Sequence, residues 1–308
     1  MKKVIAFMLL IASTSLAQSA PVAPTHTRDL LWQKLVADVT DVSRNFDGVI
    51  GITIRDLTDG RELAINADDV FPTASSIKIA LLAELYRQSQ TGQGAKLGDL
   101  YTVRKEDVVP DSAVMENLTP NVTRVTNRDL AGMVVAVSDN SATNVLIDRV
   151  GMDNVNRMLD SLGLHQMRLR RKMMDLEAAK QGRENISTPR DMAALLEALY
   201  RGKVLNKEST DDFFKLLSTG KDSQIPRLIP EGVRIANKPG ALAGVRNDNG
   251  IVFVPNRPFV ISVMTSYAHD ERAAEQAISR VAEIAYRYFD MVGSSSDYGR
   301  IISPKNSR

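Results

Sequence analysis

With 308 residues, 44% of them hydrophobic and 25% charged, the chain has ordinary globular composition and enough length to bury a substantial core, which excludes disorder and a coiled coil. A formal net charge of +2, with 39 basic residues dispersed among 37 acidic ones, leaves no electrostatic stripe for nucleic acid. The lack of cysteine removes a lipoprotein attachment site, a thiol nucleophile and thiolate metal ligands together, and His26, His165 and His269 have no zinc-ligand spacing, so neither a metal nor another cofactor is expected.

The first residues carry Lys2 and Lys3, then an apolar run from Val4 to Ala12, then small residues ending in Ser15-Leu16-Ala17, the layout of a cleaved secretory signal. That run is far short of the roughly 20 residues needed to span a bilayer. Residues 1–17 are therefore expected to be a signal peptide, residues 18–28 a linker, and the mature protein periplasmic or secreted without stable membrane insertion.

From Asp29 to Val42, Leu30, Leu31, Leu35, Val36 and Val39 recur close to a helical repeat. A β-branched strand, Gly48 to Ile54, and a second, Glu62 to Ile65, flank the turn signal Thr58-Asp59-Gly60. Ser75 to Gln90 is helical and apolar on most sides, the mark of a buried helix, with Ser75 at its first turn. Further helices are expected over Asn127 to Ser138, Ser141 to Val150, Met152 to Leu162 and Pro189 to Tyr200. Strands follow at Arg234 to Asn237, Gly250 to Val254 and Phe259 to Thr265, then an amphipathic helix from Glu271 to Phe289 and a flexible tail over 291–308. The expected fold is mixed α/β (α+β), a single unit over 29–290. An antiparallel sheet flanked by helices is built from both chain ends, about 29–70 and 205–290, around a mostly helical insertion, about 71–204.

Ser75-Ser76-Ile77-Lys78 places a hydroxyl and an amine three residues apart, within reach on one helix face. A serine hydroxyl attacks poorly until a neighbour takes its proton, and a lysine can do so when burial or adjacent cations hold it neutral. A second instance of the spacing, Ser218 to Lys221, lies in a turn-like segment and reads as accidental. Ser138-Asp139-Asn140 sits between two helical segments, where it reads either as polar groups turned towards a cleft or as a helix stop and N-cap. Lys238-Pro239-Gly240 borders a strand.

The three triplets share their order and contexts with one known site. Phe71-Pro72 precedes the first, Ser138-Asp139-Asn140-Ser141-Ala142-Thr143-Asn144 runs into a helix, and Ser187-Thr188-Pro189 opens another. Over roughly Asp29 to Phe289 the chain resembles the class A β-lactamase and penicillin-binding serine hydrolase superfamily. The resemblance implies an acyl-enzyme on Ser75, activation by Lys78 and a proton relay through Ser138 to the leaving nitrogen. It also implies that Asn140 holds the substrate amide side chain, and that Lys238 supplies positive potential to a substrate carboxylate and to Ser138, with Gly240 lining the site. The backbone N–H groups of Ser75 and Ala241 would form the oxyanion hole, each worth about 3 kcal/mol in the transition state. Arg246 reads as a second carboxylate anchor or, equally, as a solvated arginine in a polar turn.

Two departures from the family pattern stand out. Its lysine triplet carries threonine or serine in the middle, whose hydroxyl binds the substrate carboxylate, and here that residue is Pro239. The Glu-x-x-x-Asn run, whose glutamate activates the deacylating water, is missing: aligned on Leu169 and Arg171, its glutamate falls on Met173 and its asparagine on Glu177. Glu177 is the leading substitute, with Asp175 and Glu184 behind it. The implied function is an exported, monomeric serine hydrolase that opens the β-lactam amide. The alternatives are a penicillin-binding or D,D-peptidase-like hydrolase with slow deacylation, acting on a small β-lactam or peptidoglycan-like molecule, and a catalytically weak binding or sensing homologue. A lipase-like Ser-His-Asp site is disfavoured, because there is no Gly-x-Ser-x-Gly elbow.

Overall fold

A computed structural model describes residues 26–302, so the expected signal peptide and residues 18–25 of the expected linker lie outside the described residues, while residues 26–28 belong to the first helix rather than to a linker. Helix α1 (His26–Arg44) leads into strands β1 (Val49–Asp56) and β2 (Glu62–Ile65). A two-residue strand, β3 (Phe71–Pro72), enters a 3-10 turn over Ala74–Ile77 that continues directly into α2 (Lys78–Thr91). The middle of the chain holds β4 (Leu100–Thr102), β5 (Arg124–Thr126), α3 (Asn127–Ala136), α4 (Asn140–Val150), α5 (Met152–Ser161) and α6 (Leu176–Lys180). After it come β6 (Ile186–Ser187), α7 (Pro189–Tyr200), α8 (Lys207–Leu217), β7 (Ile235–Leu242), β8 (Val245–Val252), β9 (Phe259–Ser266) and α9 (Glu271–Gly293).

The expected mixed architecture is present. A five-stranded antiparallel sheet runs in the order β2-β1-β9-β8-β7, and β1 joins the C-terminal strands through β9, with Ile52 opposite Val263. Helices cover both faces, and the two-residue period of a strand divides its side chains between two cores. Phe259, Ile261 and Val263 pack with Leu35, Val39, Ile278 and Ala282 beneath α1 and α9. Val260 points the other way, into the larger core formed with α2, α4, α5, α7 and α8. Helix α2 is buried around most of its circumference, and Gly92, left-handed at φ 69°, ends it.

Three expectations are corrected. Strand β8 starts at Val245, not Gly250, because Asn247, Asp248 and Asn249 are buried polar residues that find partners: Asn237 donates to Asp248 at 2.8 Å and Ser262 to Asn249 at 2.6 Å. Arg246 therefore stands on a strand rather than in a turn. Helix α8, capped by Asn206 accepting from the Ser209 amide, fills a stretch that carried no reading. The expected flexible tail is, over 291–302, part of the packed structure: α9 runs to Gly293, Ser295 bridges Ile301, and Asp297 pairs with Arg28 at 2.6 Å.

Gly250 lies on β8 directly opposite Asn237 of the neighbouring antiparallel strand β7. A Cβ there would stand 2.7 Å from the Asn237 Cα and closer still to the Ala236 carbonyl oxygen, both backbone atoms of the neighbouring strand. Gly250→Ala should therefore cost about 1–3 kcal/mol, read as a lower urea midpoint; an unchanged midpoint would mean that β7 moves aside freely.

Candidate active site

The 3-10 turn decides how Ser75 meets its neighbours. With three residues per turn, positions i and i+3 eclipse, so Ser75 and Lys78 share one side where the turn passes into α2. Ala74, just before the serine, is left-handed at φ 47°, an arrangement that costs about 1–3 kcal/mol and persists only where surroundings enforce it. The surroundings are specific. Thr73 donates its amide and its hydroxyl to the Asn185 carbonyl at 2.9 and 3.0 Å, Ser76 Oγ donates to the Thr73 carbonyl at 2.6 Å, and Asn247 Nδ2 holds the Pro72 carbonyl at 2.8 Å.

Strand β7 runs flush against this turn. A Cβ on Gly240 would sit 2.6 Å from the Thr73 carbonyl oxygen and 3.0 Å from the amide nitrogens of Ser75 and Ser76, so only glycine allows the approach. The next residue, Ala241, is solvent-exposed beside Ser75, which is half-buried. The two residues expected to supply oxyanion N–H groups thus lie on adjoining backbone segments. Pro239 is accommodated because β7 is the edge strand, where a missing N–H leaves no ladder bond unmade.

The Ser138-Asp139-Asn140 triplet divides its labour. Asp139 is structural: it caps α4 by accepting from the Ala142 amide at 2.9 Å and holds the Val114 and Met115 amides at 3.0 and 2.9 Å. Ser138 is left-handed at φ 58° and turns towards the lysines. Lys78 Nζ donates to the Ser138 carbonyl at 2.6 Å, to Ser138 Oγ at 3.0 Å and to Asn140 Oδ1 at 3.0 Å. Lys238 Nζ reaches the same Ser138 Oγ at 3.1 Å and its own neighbour's carbonyl, Pro239 O, at 2.9 Å. One hydroxyl therefore bridges two buried amines.

Both amines are poor ammonium ions here. Burial holds Lys78 well below the usual lysine range, the charge of Lys238 pushes the same way, and Asp139 opposes weakly. Burial likewise brings Lys238 down to about 7, against the raising influence of Asp248 and with further lowering from Lys221. Lys221 belongs to the pair dismissed as accidental, and Ser218 Oγ indeed turns back to the Phe214 carbonyl at 2.7 Å. The lysine itself lies near Asp248, is held at about 8 by burial, and was missed by sequence reasoning because no motif marks it.

The expected deacylating carboxylates do not join this cluster. Glu177 stands on the short helix α6, its side chain 71% exposed and 3.9 Å from Lys180. Asp175 caps that helix through the Ala178 amide at 2.9 Å, and Glu184 pairs with Arg171 at 2.9 Å. Met173, at the expected glutamate position, is buried, and its backbone is clamped by Asn144 on α4, which accepts from its amide at 2.8 Å and donates to its carbonyl at 3.1 Å. Asn144 was legible only as part of the run entering α4. Arg246 lies at the β7–β8 hairpin with its guanidinium bound to Glu271 and Glu275. Among the described residues no group of three or more metal-ligating side chains occurs, and no helix is long and apolar enough to cross a membrane.

Comparison with known proteins agrees with this fold. The family model described as "Beta-lactamase enzyme family" matches residues 34–289. "Beta-lactamase 1" of Streptomyces cacaoi is 30% identical over 262 residues, covering 77% of this chain and 80% of that protein. Among solved structures, a β-lactamase from Sphaerobacter thermophilus is 34% identical with a TM-score of 0.75, covering 83% of this chain and 97% of the other. A variant of PBP-A, determined as an acyl-enzyme complex with penicillin-G, is 27% identical with a TM-score of 0.74, covering 85% and 97%. With the helical unit set over an antiparallel sheet and a serine, two lysines and a second serine at their junction, the chain belongs to the β-lactamase enzyme family.

Proposed function

We propose that the protein is an exported active-site serine hydrolase whose Ser75 is acylated by β-lactams or related peptidoglycan-like amides, and that the acyl group leaves slowly. The observation that carries the proposal is the shared hydroxyl of Ser138, 3.0 Å from a Lys78 amine whose pKa burial holds well below the usual lysine range and 3.1 Å from Lys238. In this reading neutral Lys78 takes the Ser75 proton as Oγ attacks the carbonyl carbon. The amide bond breaks, and Ser138 passes a proton to the leaving nitrogen; the Lys78–Ser138 step of this relay, at 3.0 Å, lies within the reach that general acid–base catalysis requires. Asn140 keeps Lys78 in place and presents its amide edge to the substrate, while the N–H groups of Ser75 and Ala241 receive the developing oxyanion.

Slow release of the acyl group follows from what stands at the water-activating position. Met173 offers only a weakly accepting, non-basic thioether and no charge, and Asp175, Glu177 and Glu184 are each engaged elsewhere or turned to solvent. The PBP-A variant obtained as a penicillin-G acyl-enzyme supports the adduct-forming reading; the likeness to "Beta-lactamase 1" supports the second reading, in which water still clears the adduct. Export rests on the lysine-led apolar leader.

Intact mass of the mature protein after mixing with penicillin G should show a persisting adduct that Ser75→Ala abolishes. Rapid hydrolysis with no adduct would reject slow deacylation, and labelling of Ser75→Ala would reject the nucleophile. Glu177→Gln should leave acylation and adduct decay within about twofold of wild type, as for an exposed residue outside the reacting groups; a tenfold slower decay would return Glu177 to the mechanism.

The pH dependence of acylation has a definite sign. Protonation removes Lys78 as a base, so the rate should fall on the acid side. In Lys238→Met, the cation that helps depress Lys78 is gone, its basicity rises, and the acid limb should move to higher pH while the overall rate drops. A limb that stays in place or moves to lower pH would show that Lys78 is not the titrating base.

A further inference from the structure

Arg246 rises from β8 beside the β7–β8 turn with its guanidinium engaged on every side. Nε donates to Glu275 at 3.2 Å, one terminal nitrogen donates to the Leu242 and Val245 carbonyls at 2.9 and 2.8 Å, and the other pairs with Glu271. Four of its five N–H groups are thereby used, and the side chain is only 14% exposed. Glu275 also binds Arg227 at 2.8 Å, which pairs with Asp222 at 3.2 Å. Two guanidinium groups face three carboxylates, and the cluster at the hairpin is net negative.

The other two groups that would receive a substrate carboxylate are equally withdrawn. Pro239 has neither hydroxyl nor N–H to offer, and its carbonyl already accepts from Lys238. Lys238 is 1% exposed, with its amine committed to that carbonyl and to Ser138 Oγ. A carboxylate brought to this edge of the site would give up its hydration and find no hydroxyl at position 239, an arginine with four of its five N–H groups already engaged and nearby negative charge, which is a net loss.

We propose that acylation of Ser75 does not depend on a free carboxylate on the substrate's leaving side, so that esters, and lactams or peptides in which that carboxyl is masked as an ester or amide, are accepted as readily as the free acids. The inference rests on the reading of Ser75 as the acylated serine. Chemically the step is unchanged: Ser75 Oγ bonds to the carbonyl carbon, the bond to the leaving nitrogen or oxygen breaks, and the proton lost from Oγ ends on that atom by way of Lys78 and Ser138. What differs is recognition, which falls to the acyl side, where Asn140 stands, rather than to a charge on the departing side.

The test compares penicillin G with its methyl ester, a pair that differs only in the carboxylate, by the second-order rate of adduct formation on the mature protein. The ester should react at least as fast as the acid, or within about tenfold of it, whereas Pro239→Thr, which restores a hydroxyl, should shift the ratio towards the acid by about tenfold or more. A wild-type preference for the free acid greater than tenfold overturns the inference, as does an unshifted ratio in Pro239→Thr. Failure of both compounds to label wild type, with Ser75→Ala as the reference, instead overturns the acylation reading on which the inference depends.

Discussion

The burial of the Lys78 amine organises the site. At 0% exposure, with neutral acceptors rather than a carboxylate in hydrogen-bond contact among the described residues, it cannot carry a full charge cheaply, and three acceptors from residues 138–140 converge on it. That convergence sets several other features at once. It requires α2 to be buried, so that its first residue reaches the segment before α4. It also requires Ser138 to take a left-handed conformation, which is maintained because Asp139 pins the loop to α4 and to the amides of Val114 and Met115. Removing a cap of this kind generally costs about 0.5–2 kcal/mol, so the strain at Ser138 is covered by its neighbour.

The second support is the edge of the sheet. Gly240 lets β7 touch the turn that carries Ser75, and the strand is held there from behind by Asp248, a buried carboxylate that accepts both from Asn237 and from the amides of Gln224 and Ile225. Burial raises the pKa of Asp248, and these four donated bonds, together with the nearby Lys221 charge, work against that rise. Lys78, Lys238, Asp248 and Lys221 influence one another in turn, Lys238 lowering the pKa of Lys78, and Asp248 raising and Lys221 lowering that of Lys238, so the two buried amines and the strand that carries one of them are coupled. An edge strand also tolerates Pro239, which a central strand would not.

The third wall is the chain from Leu169 to Ser187. Its backbone is tied down by amide side chains: Asn185 accepts from the Arg170 and Arg171 amides at 2.7 and 3.0 Å and donates to the Arg171 carbonyl at 3.1 Å, while Asn144 clamps Met173. The backbone carbonyl of the same Asn185 anchors Thr73, so this wall and the serine turn are braced through one residue. A loop held so firmly presents a fixed apolar side chain at Met173, and its carboxylates serve α6 and Arg171 instead of the cleft.

The sequence by itself determined which side chains assemble. Apolar periodicity announces α2, α7 and α9 and β-branched runs announce β1 and β9, because local pattern suffices for each, whereas Ser75, Lys78, Ser138 and Lys238 are singled out together only by the resemblance that the three triplets carry in their order and contexts. Tertiary structure alone decided how those groups are charged and which charged residues are spent elsewhere. The long polar stretch of β8 has no strand signature until Asn237 and Ser262 arrive from other strands to satisfy it. Glu177 and Arg246 look chemically suited in one dimension, yet helix α6 turns the first to solvent and α9 neutralises the second with Glu271 and Glu275. The physical reason is common to both: a side chain's charge, pKa and availability depend on partners that lie tens of residues away along the chain and become neighbours only through folding.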